Sequence, residues 1–235
     1  MSDYKNKAAD TLRFIEAIRV DYDDVDLVEI EADTTDIDFQ ALTSIISDWV
    51  GDPDRDFIYG GYALLGLADA PERLPQEWLL QIAERQPLRL RQVVEYLVAR
   101  EETDENWELL KKLSHLERLS PWGQLWLLWA ADRVGESQLT SRVKFLDWAE
   151  KLLKSKFEVA RAEAAWLLAG ANRLSEKAAA ALFVEASDIS QTGVAAAVGR
   201  RDGATPTAVG KSIQRESQIL RSAYEWGRNP IKSSA

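Results

Sequence analysis

Residues 20–38 read VDYDDVDLVEIEADTTDID, and nine of those nineteen positions are Asp or Glu, with no Lys, Arg or His among them. Acidic side chains at that density can ligate a divalent cation, imitate the phosphates of a nucleic acid, or act at a distance on charged partners. A calcium loop of the EF-hand type needs carboxylates at its first, third and fifth positions, Gly at the sixth and Glu at the twelfth. Counted from Asp21, the fifth position is Val25, the sixth Asp26 and the twelfth Ala32. Tyr22-Asp23-Asp24 begins like the paired aspartates of a polymerase palm, but Val25 stands where the second aspartate is required. Two-metal chemistry draws carboxylates from separate elements, and these lie in line. Mimicry of a nucleic acid would spread acids over a rigid surface. The segment reads instead as a short extended stretch, VDLVEIEA, within a solvated acidic connector. Asp21, Asp23, Asp24 and Asp26 then become candidates for meeting a basic surface on a partner.

Other chemistry finds little to work with. His115 is the only histidine and there is no cysteine, which excludes disulfides, thiolate zinc sites and paired-histidine metal motifs. His115 stands in KKLSHLERL, near the expected end of a helix, where a cation-capable ring suits the dipole. GATPTAVGKS at 203–212 ends like a phosphate-binding loop, but Gly203 and Gly210 are separated by six residues where that loop has four. It reads as a helix-breaking loop before the last helix. No catalytic, cofactor-binding or metal-ligating residue is assigned, and the chain is read as non-enzymatic.

The elements that position these residues are helices. From residue 36 onward the apolar period is helical. DFQALTSIISDWV sets Phe39, Leu42, Ile46, Trp49 and Val50 on one stripe, ended by Gly51 and the following DPD. Segments of the same kind follow with short polar joints, which makes neighbours antiparallel. SPWGQLWLLWAADRV opens with Ser120 as N-cap and Pro121 at the first helical position. Strand patterns are absent after residue 33.

The helices also repeat. LWLLWAADR at 125–133 aligns with AWLLAGANR at 165–173, matching Trp126 with Trp166, Leu127 with Leu167, Leu128 with Leu168 and Arg133 with Arg173. YALLGLAD at 62–69 fits the same frame, and EYLVARE at 95–101 is a degenerate member. Mid-helix leucines fill the layer between helices, and small Ala or Gly nearby lets a neighbour approach. Units of this kind stack because one alone cannot bury both apolar faces. On these residues, above all VARAEAAWLLAGANRLSEKAAAALFVEAS, the chain resembles HEAT-like helical repeat proteins over residues 36–190. WGQLWLLWAADR followed by ARAEAAWLLA is also similar to the helical region after the polymerase domain of some bacterial antiphage reverse transcriptases. That likeness implies a non-polymerising accessory part of a defence system.

The expected fold is therefore all-α, an irregular HEAT-like α-solenoid of antiparallel helix pairs preceded by the short extended acidic segment. Residues 1–35 would hold an N-terminal helix and that segment, 36–190 the repeats, and 191–235 a C-terminal helix and loosely attached basic tail. The net charge is −10, and residues 20–38 carry nearly all of it. No apolar run is long enough to span a bilayer. The start MSDYKNKAADTLRF lacks the apolar core of a signal peptide. The cysteine-free composition suits a reducing cytoplasm.

Trp122, Trp126 and Trp129 recur at helical spacing among nine tryptophans. In a repeat array such a stripe is the core between helices; the alternative is that some rings line a groove for a protein partner. Trp122 and Trp126 are the candidates for that role. The function expected is a non-catalytic scaffold or protein-interaction module. A second possibility is nucleic-acid binding through Arg200, Arg201 and Lys211, with Tyr224 and Trp226 stacking on single strands. A third is a metal-dependent hydrolase that uses the acidic run.

Overall fold

The computed structural model describes residues 39–52, 60–68, 70–100 and 102–229. The N-terminal helix and the acidic segment, with Asp21, Asp23, Asp24 and Asp26, lie outside the described residues. Among those described there are twelve α-helices and no strand. None is long and apolar enough to cross a membrane. The chain divides into two compact units, residues up to 102 with 116–118, and 103–115 with 119 onward.

The first unit holds α1 (Phe39–Gly51), α2 (Gly60–Gly66), α3 (Gln76–Arg85), a 3-10 turn (Pro87–Arg89) and α4 (Leu90–Ala99). The stripe expected on α1 is buried at Leu42, Ile46 and Trp49, joined by Ala41, while Phe39 and Val50 are half-buried. The helix stops at Gly51, as its sequence suggests. Gly60 lets α2 begin directly against the ring of Trp49, where a Cβ would collide with the indole. Leu64, Leu79, Ile82, Val93, Val94 and Leu97 complete the core. Tyr96 is fully buried, and its hydroxyl accepts the Leu74 N–H at 3.0 Å, so its one polar atom is not orphaned.

The second unit holds α5 (Thr103–Leu113), α6 (Pro121–Arg133), α7 (Thr140–Leu152), α8 (Glu158–Gly170), α9 (Glu176–Glu185), α10 (Asp188–Asp202), α11 (Ala208–Ile213) and α12 (Gln218–Arg228). Helices α6, α8, α10 and α12 pack side by side in that order. Helix α7 backs α5 and α8, and α9 and α11 back α10. The caps follow the sequence signals. Ser120 Oγ accepts the Gly123 N–H at 3.0 Å, with Pro121 in the first turn, and Ser175 Oγ accepts the Ala178 N–H at 3.2 Å.

Small residues decide how closely the row packs. The buried face of α8 is built from Ala160, Ala164, Ala165, Leu168 and Ala169, and α10 presents Val194 through Val198. A Cβ on Gly199 of α10 would overlap the Tyr224 carbonyl, and one on Gly227 of α12 would overlap the Ala196 carbonyl. The two backbones therefore touch, which only glycine allows at those points.

This corrects the expectation of a loosely attached tail. The region around α12 is held by backbone contact and by a hydrogen-bonded hub at Asp202, whose side chain has no exposure. The Asp202 carboxylate accepts the Thr207 N–H at 3.0 Å, the Thr207 hydroxyl at 2.9 Å, the Tyr224 hydroxyl at 3.0 Å and the Arg201 guanidinium at 2.8 Å. One carboxylate thus ties the end of α10 to the N-cap of α11 and the middle of α12. Burial, then the hydrogen bond to Asp202 and its charge, raise the Tyr224 phenol well above its ordinary value. The GATPTAVGKS segment serves this joint. Gly203, at φ 52°, ends α10, and Thr207 caps α11 by accepting the Gly210 N–H.

Candidate functional site

Helix α6 is apolar on both sides, so periodicity alone does not say which side faces inward. Its buried residues are Gly123, Leu127, Leu128, Ala130 and Ala131. Trp122 is 65% exposed, and Trp126 and Trp129 are half-buried. The expectation that the Trp122–Trp126–Trp129 stripe is inter-helix core is therefore corrected. Leucine and alanine, which pack against α8 more compactly, take the inner face and turn the indoles outward.

The same geometry recurs on α8. Counted from the N-caps, Ser120 on α6 and Phe157 on α8, the outward line Trp122, Trp126, Trp129, Arg133 corresponds to Val159, Glu163, Trp166, Gly170. Val159 and Gly170 are exposed, and Glu163 and Trp166 are half-buried. The lines meet through side chains. Trp122 packs edge-on against Phe157, with ring centroids 5.7 Å apart, and Trp126 meets Trp129 edge-on at 6.0 Å. The Trp166 Nε1–H donates to Asp132 Oδ2 at 2.8 Å, and the Trp226 ring of α12 stacks on Trp166 at 4.9 Å. Trp226 is 50% exposed, and Ile219, two turns earlier on α12, is 69% exposed. Five of the nine tryptophans thus lie on one face of the α6–α8–α10–α12 row.

Charged groups are woven into this face. The Arg133 guanidinium lies 4.1 Å from the centre of the Trp129 ring. Arg200 of α10 lies 4.3 Å over Trp166 and pairs with Asp132 of α6 at 2.6 Å, so one side chain binds three helices. Gly170 makes room for it, because a Cβ there would collide with the guanidinium. Glu163 lies within electrostatic reach of Asp132, Arg133 and Arg200. Burial, and then the charge of Asp132, raise its carboxyl above the ordinary value. A cleft of about 60 Å³ beside Asp132 and Arg200 is walled by Trp107, Arg142, Leu146 and Leu167.

The candidates named from sequence separate accordingly. Trp122 and Trp126 stand on this face. Arg200 is there too, committed to Asp132 and Trp166. Arg201 donates to the Leu174 carbonyl at 2.9 Å and to Asp202. Lys211 is exposed on α11. Tyr224, expected to stack on a nucleic acid, is fully buried with its hydroxyl on Asp202, which corrects that role; Trp226 alone of that pair is accessible. His115 lies in the turn just after α5, its Nδ1 at 2.8 Å from the Lys111 carbonyl. Among the described residues no three His, Cys, Asp or Glu side chains gather as a metal site. Asp132, Glu163 and Trp226 went unrecognised as parts of one surface. The Asp132–Arg200 pair spans 68 positions and leaves no local signal. No protein-family model, curated protein or solved structure matches the chain.

Proposed function

We propose that this chain is a non-catalytic protein-interaction module whose docking surface is the tryptophan-lined face of α6, α8 and α12. The observation that carries the reading is the exposure of Trp122 and Trp226, together with that of Val159 on α8 and Ile219 on α12. An exposed indole forgoes about 2–4 kcal/mol of burial that an inward ring would realise. Exposed apolar rings set among charged groups mark contact sites, and tryptophan dominates their energetics. Bridged by Arg200 and anchored by the Asp202 hub, the rings sit on a preorganised base, which lowers the ordering cost of binding.

The side-by-side row, backed by α7, α9 and α11, supports an irregular HEAT-like array for this unit. An accessory role in a bacterial defence system rests on the sequence resemblance alone. Nucleic-acid binding is less favoured, because Arg200 and Arg201 are already spent on internal acceptors. The test is affinity for the physiological partner after Trp122→Ala and Trp226→Ala together, with unchanged circular dichroism. At least a tenfold loss is expected. Leu88→Ala, at a residue 92% exposed in the first unit, is expected to change nothing. Equal loss in both variants would indicate nonspecific adhesion and sink the reading.

A further inference from the structure

Helix α7 and the turn into α8 carry an imbalance of charge. Between residues 144 and 161 five basic residues stand against three acidic ones, on a chain whose net charge is −10. All three acids already have donors. Asp147 and Glu150 accept from Arg173 at 2.6 and 2.9 Å, and Glu158 accepts from Ser187 and Ser190 and pairs with Arg161. Lys144, Lys151, Lys154 and Lys156 are exposed, and among the described residues their ammonium groups engage no acceptor. The helix dipole accounts for Lys151 in the last turn of α7, but not for Lys144 two turns earlier or Lys156 beyond the end. Like charges this dense repel one another and oppose the compact state. The strip leads to the docking face. Lys156 is followed by Phe157, whose ring meets Trp122 edge-on, and Trp122 is 65% exposed.

We propose that the lysine strip at 144–156 receives an acidic segment of the protein partner, whose apolar anchor seats on Trp122. The docking face proposed above is its premise, and the strip adds the partner's chemistry. Charge complementarity carries it. Carboxylates supply the acceptors that Lys151, Lys154 and Lys156 lack and relieve their mutual repulsion. A nucleic acid fits less well. Strands bind by stacking successive bases, and here Trp122 is the one exposed platform beside the lysines, because Phe157 and Trp148 are half-buried. A long strand's phosphates would also run past the strip on to a chain with an excess of acid. A short acidic segment feels charges only within about 10 Å.

The test selects binders from a random twelve-residue peptide library on the full chain, then measures the best synthetic peptides against variants. The expected peptides are rich in Asp or Glu, lose affinity at about 0.5 M salt, and bind Lys151→Gln/Lys154→Gln/Lys156→Gln at least tenfold more weakly. These side chains hold nothing in the fold, so circular dichroism and melting of that variant match the parent. Peptides without acidic enrichment, lost on Trp122→Ala but retained by the lysine variant, overturn the strip and leave the docking face standing. A mixed-sequence single-stranded oligonucleotide that binds the same lysines more tightly than any peptide assigns the strip to nucleic acid and overturns it. A dimer in sedimentation that the lysine variant dissolves assigns it to a second copy, with the same result. If no peptide depends on Trp122 or on the lysines, both proposals fall.

Discussion

Gly227→Ala probes the contact on which the exposed face depends. Gly227 of α12 lies against the backbone of α10, where an added methyl would overlap the Ala196 carbonyl, and backbone atoms cannot rotate aside. Two effects oppose each other. Alanine favours the helix by about 1 kcal/mol over glycine. Overpacking costs about 1–3 kcal/mol, and a rigid carbonyl puts this site at the upper end. The net expectation is a destabilisation of about 2 kcal/mol, or a fall of about 4–8 °C in melting temperature. Because α12 carries Trp226, parting the helices also disturbs its stack on Trp166, and tryptophan emission changes with it. Gly193→Ala is the control. Its methyl would stand 3.2 Å from the Ala162 methyl, a side-chain contact that yields by a few tenths of an ångström. That variant is expected to stay within about 1 kcal/mol of the parent. Thermal melts followed by circular dichroism and by fluorescence read both variants. A Gly227→Ala protein as stable as the parent would refute backbone contact between α10 and α12.

Asp202→Asn replaces a fully used acceptor with a side chain that must donate, and is expected to cost about 3 kcal/mol in urea denaturation. Tyr224→Phe removes one of those bonds and costs about 1.5 kcal/mol. Since the folded-state phenol titrates above its ordinary 10.0, the stability it contributes is complete below that pH and is lost as pH rises beyond it; urea melts of Tyr224→Phe are expected to show a flatter alkaline decline. The Glu163 carboxyl is also raised, from 4.5, so its contribution is complete below pH 4.5 and is lost as pH climbs through the raised value. Glu163→Gln is therefore expected to gain stability relative to the parent as pH rises towards neutrality and to converge with it in acid, as melts across that range would show.

Local signals in the chain carried the architecture well. The helical period, Ser120 and Pro121 at a helix start and Gly51 at a helix end act within a few residues, and each appears where such signals should act. Orientation was harder to read. Helix α6 has leucines on one side and tryptophans on the other, so its pattern has no polar face to mark the outside. Aligning 125–133 with 165–173 matches Trp126 to Trp166, whereas counting from the helix starts matches Trp129 to Trp166. The surface itself depends on pairs far apart in the chain, Asp132 with Arg200 and Trp166 with Trp226, which no spacing rule brings together. The basic composition after residue 199 suggested a loose tail; the glycines at 199 and 227, a residue type that weakens an isolated helix, are what let that region pack.

The central claim is that the tryptophan face is where a partner docks. Hydroxyl-radical footprinting of the full chain, alone and in complex with its partner, tests it at single residues. Trp122 and Trp226 are expected to oxidise readily in the isolated chain and to be protected in the complex. Equal oxidation of both rings in the two states, with protection confined to residues 20–38 or to the surroundings of Lys211, would contradict it.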